Sequence, residues 1–357
     1  MHINTEPTWR GGEAQVLLLA RGMRGGAWPP VVVAQPGSPL AERARAADIP
    51  VEECALGSAL DVGGMLRLRA LVKRLRPALV HAHTSKAHSL AIPALLGLGV
   101  PLVVTRRVAF PIAKGLGGGW KYRAPAGWIA ITPQVREVLV AGGIAAERIA
   151  VIPDAIDADA LAAAPSGVLR RELGLPPEAV LVGCIAAFTA EKGHDTLLTA
   201  WQTVAAACPT AHLALIGDGP LQPGLRHRFA HLPRCHWLGF RADYAAVHRS
   251  LDLCVLASRH EGLGSSLLDA LACGVPVVAT RTGGIPMAVR DGEEGILVPV
   301  DDAPALAAAI TGMVQDPERR ARYGYAGMIR MPTDHGVTTI AAAHAATYAS
   351  IAGIVLR

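Results

Sequence analysis

The densest chemistry in the chain lies in Glu261-Gly262-Leu263-Gly264-Ser265-Ser266-Leu267-Leu268-Asp269, within a stretch that reads as loop, helix, tight turn and strand up to Ala279. Two glycines let a backbone come close to a ligand, and the free N–H groups of a helix start favour a phosphate. Glu261 precedes that start, and Asp269 lies roughly one to one and a half turns inside it. A carboxylate on each side of a phosphate-binding helix start suits a ligand with hydroxyls at both ends of a diphosphate, as a nucleotide sugar has. A plain βα unit with a Gly-rich turn would use the same residues, and these residues alone leave both readings open.

The first half holds a second set. Gly11 and Gly12 stand before a helix start and offer N–H donors to a phosphate. No G-x-G-x-x-G occurs anywhere, which argues against a dinucleotide redox enzyme. His81 and His83 share a sheet face by the period of two. They read as a metal pair, as core histidines, or, for His83 at the strand's carboxyl end, as a ligand contact. No third metal ligand follows at a useful spacing. Arg106 and Arg107 end the next strand and read as contacts to a phosphate or an acidic group, or as an exposed basic turn. Phe110, Lys114, Trp120, Lys121, Tyr122 and Arg123 interleave rings and cations, and Arg67, Arg69, Lys73, Arg74 and Arg76 line a helix. That mixture suits an anionic membrane surface as well as a solvated face. Nucleic acid is not expected, because no binding motif accompanies the charge. Asp157-Ala158-Asp159 spells D-x-D by chance, and no metal is expected.

These residues need elements to position them. β-Branched runs at Val31–Ala34, Leu79–His83, Leu102–Thr105, Gly127–Ile131, Val180–Ala186, His212–Ile216, Leu253–Ala257, Val275–Ala279 and Gly295–Val298 read as strands, with helical patterns between them. Such alternation implies an α/β fold of two doubly wound parallel sheets, with ligands at strand carboxyl ends in a cleft between the domains. The expected division is an N-terminal domain 1–155, a linker 156–178 and a C-terminal domain 179–335. A last helix, within 336–357, returns to the first domain. Met1–Asn4 is too short for a central strand, so either the true start lies upstream or the strand is truncated.

Composition fits this plan. The 357 residues suffice for two domains, and 51% are hydrophobic, which excludes disorder. Residues 1–150 hold 18 Lys and Arg against 9 Asp and Glu, a net of +9, while the remainder holds 16 against 20, a net of −4. Six scattered cysteines without a Cys-x-x-Cys pair argue against zinc and disulfides and for a reducing cytoplasm. There is no signal-peptide layout and no apolar run of spanning length.

The run from Glu261 to Val289 resembles the signature of the family 4 retaining glycosyltransferases, which have the two-domain GT-B fold. Their two acidic residues, spaced by seven, fall on Glu261 and Asp269, followed by Gly274-Val275-Pro276-Val277-Val278-Ala279 and the Gly283-Gly284 turn. The resemblance implies that Glu261 contacts the donor sugar and Asp269 the ribose. Asp269 departs from the usual Glu by one methylene. Ile185 to Gly193 is similar to the turn that sets an Arg and a Lys against the donor diphosphate; Lys192 is in place, but the Arg position reads Ala187. Arg281 or a first-domain Arg is the expected substitute. Gly217, Gly239 and Phe240 match the next two strand ends. The implied donor contacts are then Gly11, Gly12, Gly217, Gly239, Phe240, Gly262, Leu263, Gly264, Ser265, Ser266, Leu267 and Asp269. Glu261, His83 and Lys192 are the implied catalytic set, and Lys86, His88, Arg106 and Arg107 the acceptor side.

The expected reaction is metal- and cofactor-independent transfer of a sugar from a nucleotide diphosphate-sugar, UDP by family frequency, to a hydroxyl of a glycan or lipid-linked acceptor. The expected setting is polysaccharide or lipopolysaccharide synthesis in the cytoplasm, peripheral to the inner face of the membrane. The rivals are a UDP-N-acetylglucosamine 2-epimerase-like enzyme and a non-catalytic nucleotide-sugar-binding protein.

Overall fold

The computed structural model describes residues 1–112 and 118–353. They divide into two compact units: unit 1 is Met1–Ala155 with the chain from Val337 onward, and unit 2 is Ile156–Gly336. Lys114, of the ring-and-cation segment, and the last residues of the chain lie outside the described residues.

Unit 1 carries β1 (His2–Ile3), β2 (Val32–Ala34), β3 (Val51–Glu53), β4 (Val80–Ala82), β5 (Leu102–Arg106), β6 (Gly127–Ala130) and β7 (Ile149–Val151). Unit 2 carries β8 (Val180–Ile185), β9 (Ala211–Ile216), β10 (Cys235–Gly239), β11 (Leu253–Leu256), β12 (Val277–Thr280) and β13 (Gly295–Val298). The sheet orders are β3-β2-β1-β4-β5-β6-β7 and β10-β9-β8-β11-β12-β13, and every pairing is parallel. Each unit is therefore doubly wound and Rossmann-like. Helices cover both faces, so the central strands are apolar without alternation. Strand order reverses between β1 and β4 in unit 1 and between β8 and β11 in unit 2. Loops splay apart at such a point and leave room for a ligand beyond the carboxyl ends.

Two expectations change. Met1–Asn4 does serve as a central strand: His2 and Asn4 N–H donate to Val31 and Val33 carbonyls, and His81 and His83 N–H donate to Met1 and Ile3 carbonyls, all within 2.8–3.0 Å. Its neighbours β2 and β4 span only three residues each, so a short strand pairs along its whole length. Residues 156–178, expected as a linker, fold into unit 2 as helices Ala158–Ala163 and Val168–Glu172, anchored by buried Leu161 and Leu169.

The helix Val337–Ala352 packs on Gly11–Met23 within unit 1. Gly22 permits the approach, because a Cβ there would strike the Val337 and Ala341 side chains. The buried Tyr348 hydroxyl lies 2.6 Å from His81 Nδ1, pinning this helix to β4. No described helix is long and apolar enough to cross a membrane.

In unit 2 the long helix Pro317–His335 is held by a buried ion pair. Arg330 spans both oxygens of Glu294, with Nη2 to Oε2 at 2.7 Å, and donates to the Ala288 carbonyl at 2.6 Å. The two side chains are only 10% and 2% exposed, so Glu294 without Arg330 would be a stranded charge, while Arg330 keeps Asp334 at 3.1 Å. Arg330→Met should therefore destabilise unit 2 by about 3–5 kcal/mol. Urea unfolding checks this, and a change under about 1 kcal/mol would show the pair to be incidental.

Candidate functional site

Some described helix starts carry a side-chain cap, and others, including those at Gly167, Leu221, Asp243 and Gly284, do not. Ser38, Asp61, Thr84, Thr132, Asp302 and Asp316 each accept a hydrogen bond from a first-turn N–H, the usual way of satisfying a helix end. Asp157 does the same for Ala160 N–H at 3.2 Å, so the first carboxylate of D-x-D is a helix cap. The helices Ser265–Ala272 and His194–Ala207 instead begin at Gly264 and Gly193, in left-handed conformation and with no side-chain cap. Both follow strands flanking the unit 2 switch point.

Lys192 and Glu261 meet there. Lys192 Nζ lies 2.6 Å from Glu261 Oε2, with the side chains 21% and 12% exposed. Ser258 Oγ donates to the same oxygen at 3.2 Å, and Gly262 N–H donates to Oε1 at 3.1 Å. Ser258 is held in turn by its carbonyl, which accepts from Thr280 Oγ1 at 2.5 Å. Glycine is required at two contacts. Gly193 and Gly283 have positive φ, and a Cβ on either would run into the carbonyl of Ala257 or Glu261. Beneath Lys192, His194 stacks on Phe188 at 4.2 Å, and burial with the Lys192 charge pushes the imidazole down to about 4.

Asp269 sits in the uncapped helix, only partly exposed, and no described donor bonds its carboxylate. Burial pushes it up to about 7, and the Asp157 carboxylate adds to the rise. A carboxylate held without donors is ready to accept hydroxyls. Leu263 and Leu267 are buried, so only their backbone can reach a ligand. Ser265 is exposed, and Gly262, Gly264 and Ser266 complete the loop and helix start. Gly217 and Gly239 end β9 and β10 with positive φ, joined by Gly217 N–H to Gly239 O at 2.8 Å; Phe240 beyond them is exposed.

Arg281, one of the expected substitutes for the missing Arg, pairs with Asp291 at the surface. Arg259 is likewise held by Asp195 at 2.9 Å and Asp301 at 2.7 Å. A polar cavity of about 480 Å3 shares Arg259 but includes none of Lys192, Glu261 and Asp269. Its cation is held by those two carboxylates.

At the unit 1 switch point, Gly11 and Gly12 open the helix Gly11–Met23, whose Glu13 accepts from Arg10 N–H at 3.0 Å and Asn4 Nδ2 at 2.9 Å. His83 is buried against His81 and His2, with ring centroids at 3.9 and 5.3 Å. Sequence spacing could not find His2, which enters from β1 with Nδ1 3.1 Å from His83 Nε2. Among the described residues, His2, His81 and His83 are the group whose ligand atoms converge as a metal site would need, within 4.8 Å. His81 spends both ring nitrogens on Tyr348 and Thr105, at 2.6 Å each. Burial and neighbouring positive charge keep all three well below the usual histidine range. His2 and His83 are bonded to each other, and His83 Nδ1 has no partner.

The acceptor-side set divides. Lys86 is half-buried in the first turn of Ser85–Leu95. His88 is corrected: it is 2% exposed, packed edge-on to Trp128 and Tyr122, with Nε2 3.0 Å from the Lys121 carbonyl. Its helix buries that face, with Ala87, Leu90, Ala91 and Ala94, so His88 faces the core. Arg106 bonds its own loop at the Val108 and Phe110 carbonyls. Arg107 Nε lies 3.2 Å from Asp154 Oδ1.

Residues 9–160 match the family model described as Glycosyltransferase Family 4, and residues 179–316 the model described as Glycosyl transferases group 1. The chain is 33% identical over 190 residues to a GDP-mannose-dependent alpha-(1-6)-phosphatidylinositol monomannoside mannosyltransferase of Mycolicibacterium smegmatis, covering 49% of this chain and 50% of that protein. It is 28% identical over 357 aligned residues to a D-inositol 3-phosphate glycosyltransferase of Thermobispora bispora, covering 90% and 82%. The fold is similar to that of Anabaena Alr3699/HepE, solved in complex with UDP and glucose, with TM-score 0.83, 23% identity and 98% of both chains covered.

The raised Asp269 carboxyl has a consequence for stability. A folded pKa near 7 against an ordinary 3.8 stabilises the fold fully below pH 4, and that contribution is lost as pH rises through 7. Asp269→Asn should therefore unfold later than the parent at pH 8, by on the order of 3 kcal/mol. The gap should close by pH 4. Denaturant titration at both pH values checks this; a gap independent of pH would refute the buried-carboxyl account.

Proposed function

This chain belongs to the family 4 glycosyltransferases, and on that premise we propose that it moves a sugar from a UDP-sugar to a hydroxyl of a glycan or lipid-linked acceptor. The reading takes the transfer as retaining at the anomeric carbon and independent of metal. The observation that carries it is the Lys192–Glu261 pair beside two uncapped helix starts at the unit 2 switch point.

The chemistry follows from what each group offers. A diphosphate arriving at the Gly264 helix start takes N–H donors that no side chain occupies. It competes with Glu261 for the Lys192 ammonium, which then neutralises charge building on the leaving phosphate. Glu261, oriented by Ser258 and Gly262, is left to hold sugar hydroxyls. Asp269, carrying no donor, takes the ribose. In this reading His83 of unit 1 contacts the sugar or acceptor, and attack comes from the leaving-group face with the phosphate as base. Trapping a covalent glycosyl-enzyme, or isolating inverted product, would sink that mechanism. UDP is preferred to GDP, the donor base named for the mycobacterial relative.

The acceptor is assigned to unit 1, and a lipid-linked or lipopolysaccharide-type glycan at the inner face of the cytoplasmic membrane fits its surface. Leu60, Val62, Leu66 and Leu96 are exposed around the helix Val62–Leu75, which also carries Arg67, Arg69, Lys73 and Arg74. Apolar side chains ringed by cations suit anionic lipid headgroups. Three of those arginines are partly engaged, by Asp61, by the Ala94 and Leu96 carbonyls, and by Glu52.

Unfolding midpoints with UDP, GDP and ADP, followed by turnover of Glu261→Ala, test the reading. UDP should raise the midpoint of parent and variant alike, since Glu261 is assigned to the sugar. Transfer by the variant should fall about a hundred- to a thousandfold. Stabilisation by GDP alone would replace the donor base. Conversion of UDP-N-acetylglucosamine without an acceptor would favour an epimerase, and unchanged transfer by the variant would remove Glu261 from the mechanism.

A further inference from the structure

His2, His81 and His83 come together because of the register between β1 and β4. His2 is the direct partner of His81, and His83 follows two residues on along β4, so all three stand on one face of the sheet. The rest of that face is apolar, with Leu79, Val103 and Ile129 in one packed cluster. The helix Val337–Ala352 covers it with His344 and Tyr348. The three imidazoles are 3%, 0% and 7% exposed, in a place where aliphatic side chains would pack without a polar cost.

Their geometry is that of a ligand set. One nitrogen of each ring lies within 4.8 Å of those of the other two, and His2 Nδ1 and His83 Nε2 are already 3.1 Å apart. Three imidazole nitrogens bound at about 2.0–2.1 Å to a tetrahedral ion stand roughly 3.3 Å from one another. The third ligand that spacing along β4 lacks is therefore supplied by β1. Without an ion, the His2–His83 contact needs a proton shared between the two nitrogens, and a metal takes the place of that proton. His81 meets Tyr348 Oη at Nδ1 and Thr105 Oγ1 at Nε2, at 2.6 Å each. Binding a metal through one nitrogen gives up one hydroxyl and keeps the other as the partner that orients the ring. The Arg107 charge, which reaches His81 and His83, is paired with Asp154 at 3.2 Å.

We propose that His2, His81 and His83 form a three-histidine zinc site in unit 1. An all-nitrogen set without a carboxylate selects zinc over magnesium or calcium. The ion's role is structural: it ties β1 to β4 and holds His83 with Nε2 on the metal and the ring proton on Nδ1, the atom that has no partner. That this N–H then serves the sugar or acceptor rests on the transferase reading; the zinc site does not, and that reading still needs no metal at the diphosphate.

The full chain, stripped with EDTA and dialysed, is titrated with ZnCl2 by calorimetry and with CoCl2 by visible absorption. Because the site is buried, the titrations are repeated after refolding from urea with the metal present. One Zn2+ per chain should bind and raise the unfolding midpoint, and Co2+ should give the intense visible bands of tetrahedral coordination. His2→Gln and His83→Gln, checked for folding by circular dichroism, should each weaken binding at least about tenfold. His236→Gln removes the His212–His236 pair of unit 2, 3.1 Å apart, and should bind as the parent does. No zinc bound after refolding, binding unchanged in His83→Gln, or binding lost in His236→Gln overturns the proposal. Where the His2 and His83 variants do not fold, the parent's Co2+ spectrum decides, and the weak bands of octahedral cobalt overturn it. UDP should raise the midpoint of the stripped chain as well, so the transferase reading is tested separately and either can fail while the other stands.

Discussion

The 2.6 Å contact between Lys192 and Glu261 joins residues 69 apart in sequence, and the fold around it is arranged to let them meet. β8 and β11 are neighbours only because strand order reverses between them, so the loops that follow arrive at one place from opposite directions. Two charges taken partly out of water cost more than they return unless further hydrogen bonds complete them. Ser258 and Gly262 supply those bonds. Gly193 and Gly283 supply the room, since any side chain there would strike a carbonyl of the facing loop. The pair is thus held by backbone geometry, and Glu261 keeps its orientation through Ser258 and Gly262 as well as Lys192.

That arrangement sits where the fold is least self-sufficient. Seven described helix starts are closed by a Ser, Thr or Asp oxygen, each worth about 1 kcal/mol. The two at the unit 2 switch point are not. Asp269 adds a carboxyl that burial holds near neutrality and that no donor stabilises. A chain selected for stability alone would cap those helices and replace that acid. Groups left without partners beside the Lys192–Glu261 pair fit a binding surface better than poor packing.

Much of this was legible in the sequence because it is local. Alternating β-branched and amphipathic runs marked the longer strands, and Glu261, Gly264 and Asp269 stand within one loop and helix. The rest depends on distant pairing. β3 and β7 are three residues long, and no period of two can be read from three positions. His2 joins His81 and His83 only through the β1–β4 pairing, so spacing along the chain could not supply a third histidine. His88 looked like a ligand because it follows a strand end, yet helical phase turns it to Trp128. The segment 156–178 has a linker's Ala, Pro and Asp content, and two buried leucines decide otherwise.

The same distinction qualifies what net charge can say. Unit 1 lies in the basic half of the chain, yet its switch point is lined by histidines that burial keeps neutral, with Arg107 the fixed cation near them. Unit 2 lies in the acidic half, yet its switch point holds the Lys192 ammonium, partly buried against Glu261. Many of the surface charges in these sums are exposed and screened beyond about a Debye length. Arg24–Asp48 and Arg74–Glu52 are such pairs. A few partly buried groups at the strand ends are screened far less. The chemistry of each unit is therefore set by which of those groups the fold satisfies and which it leaves for a ligand, and the +9 and −4 govern only the approach from a distance.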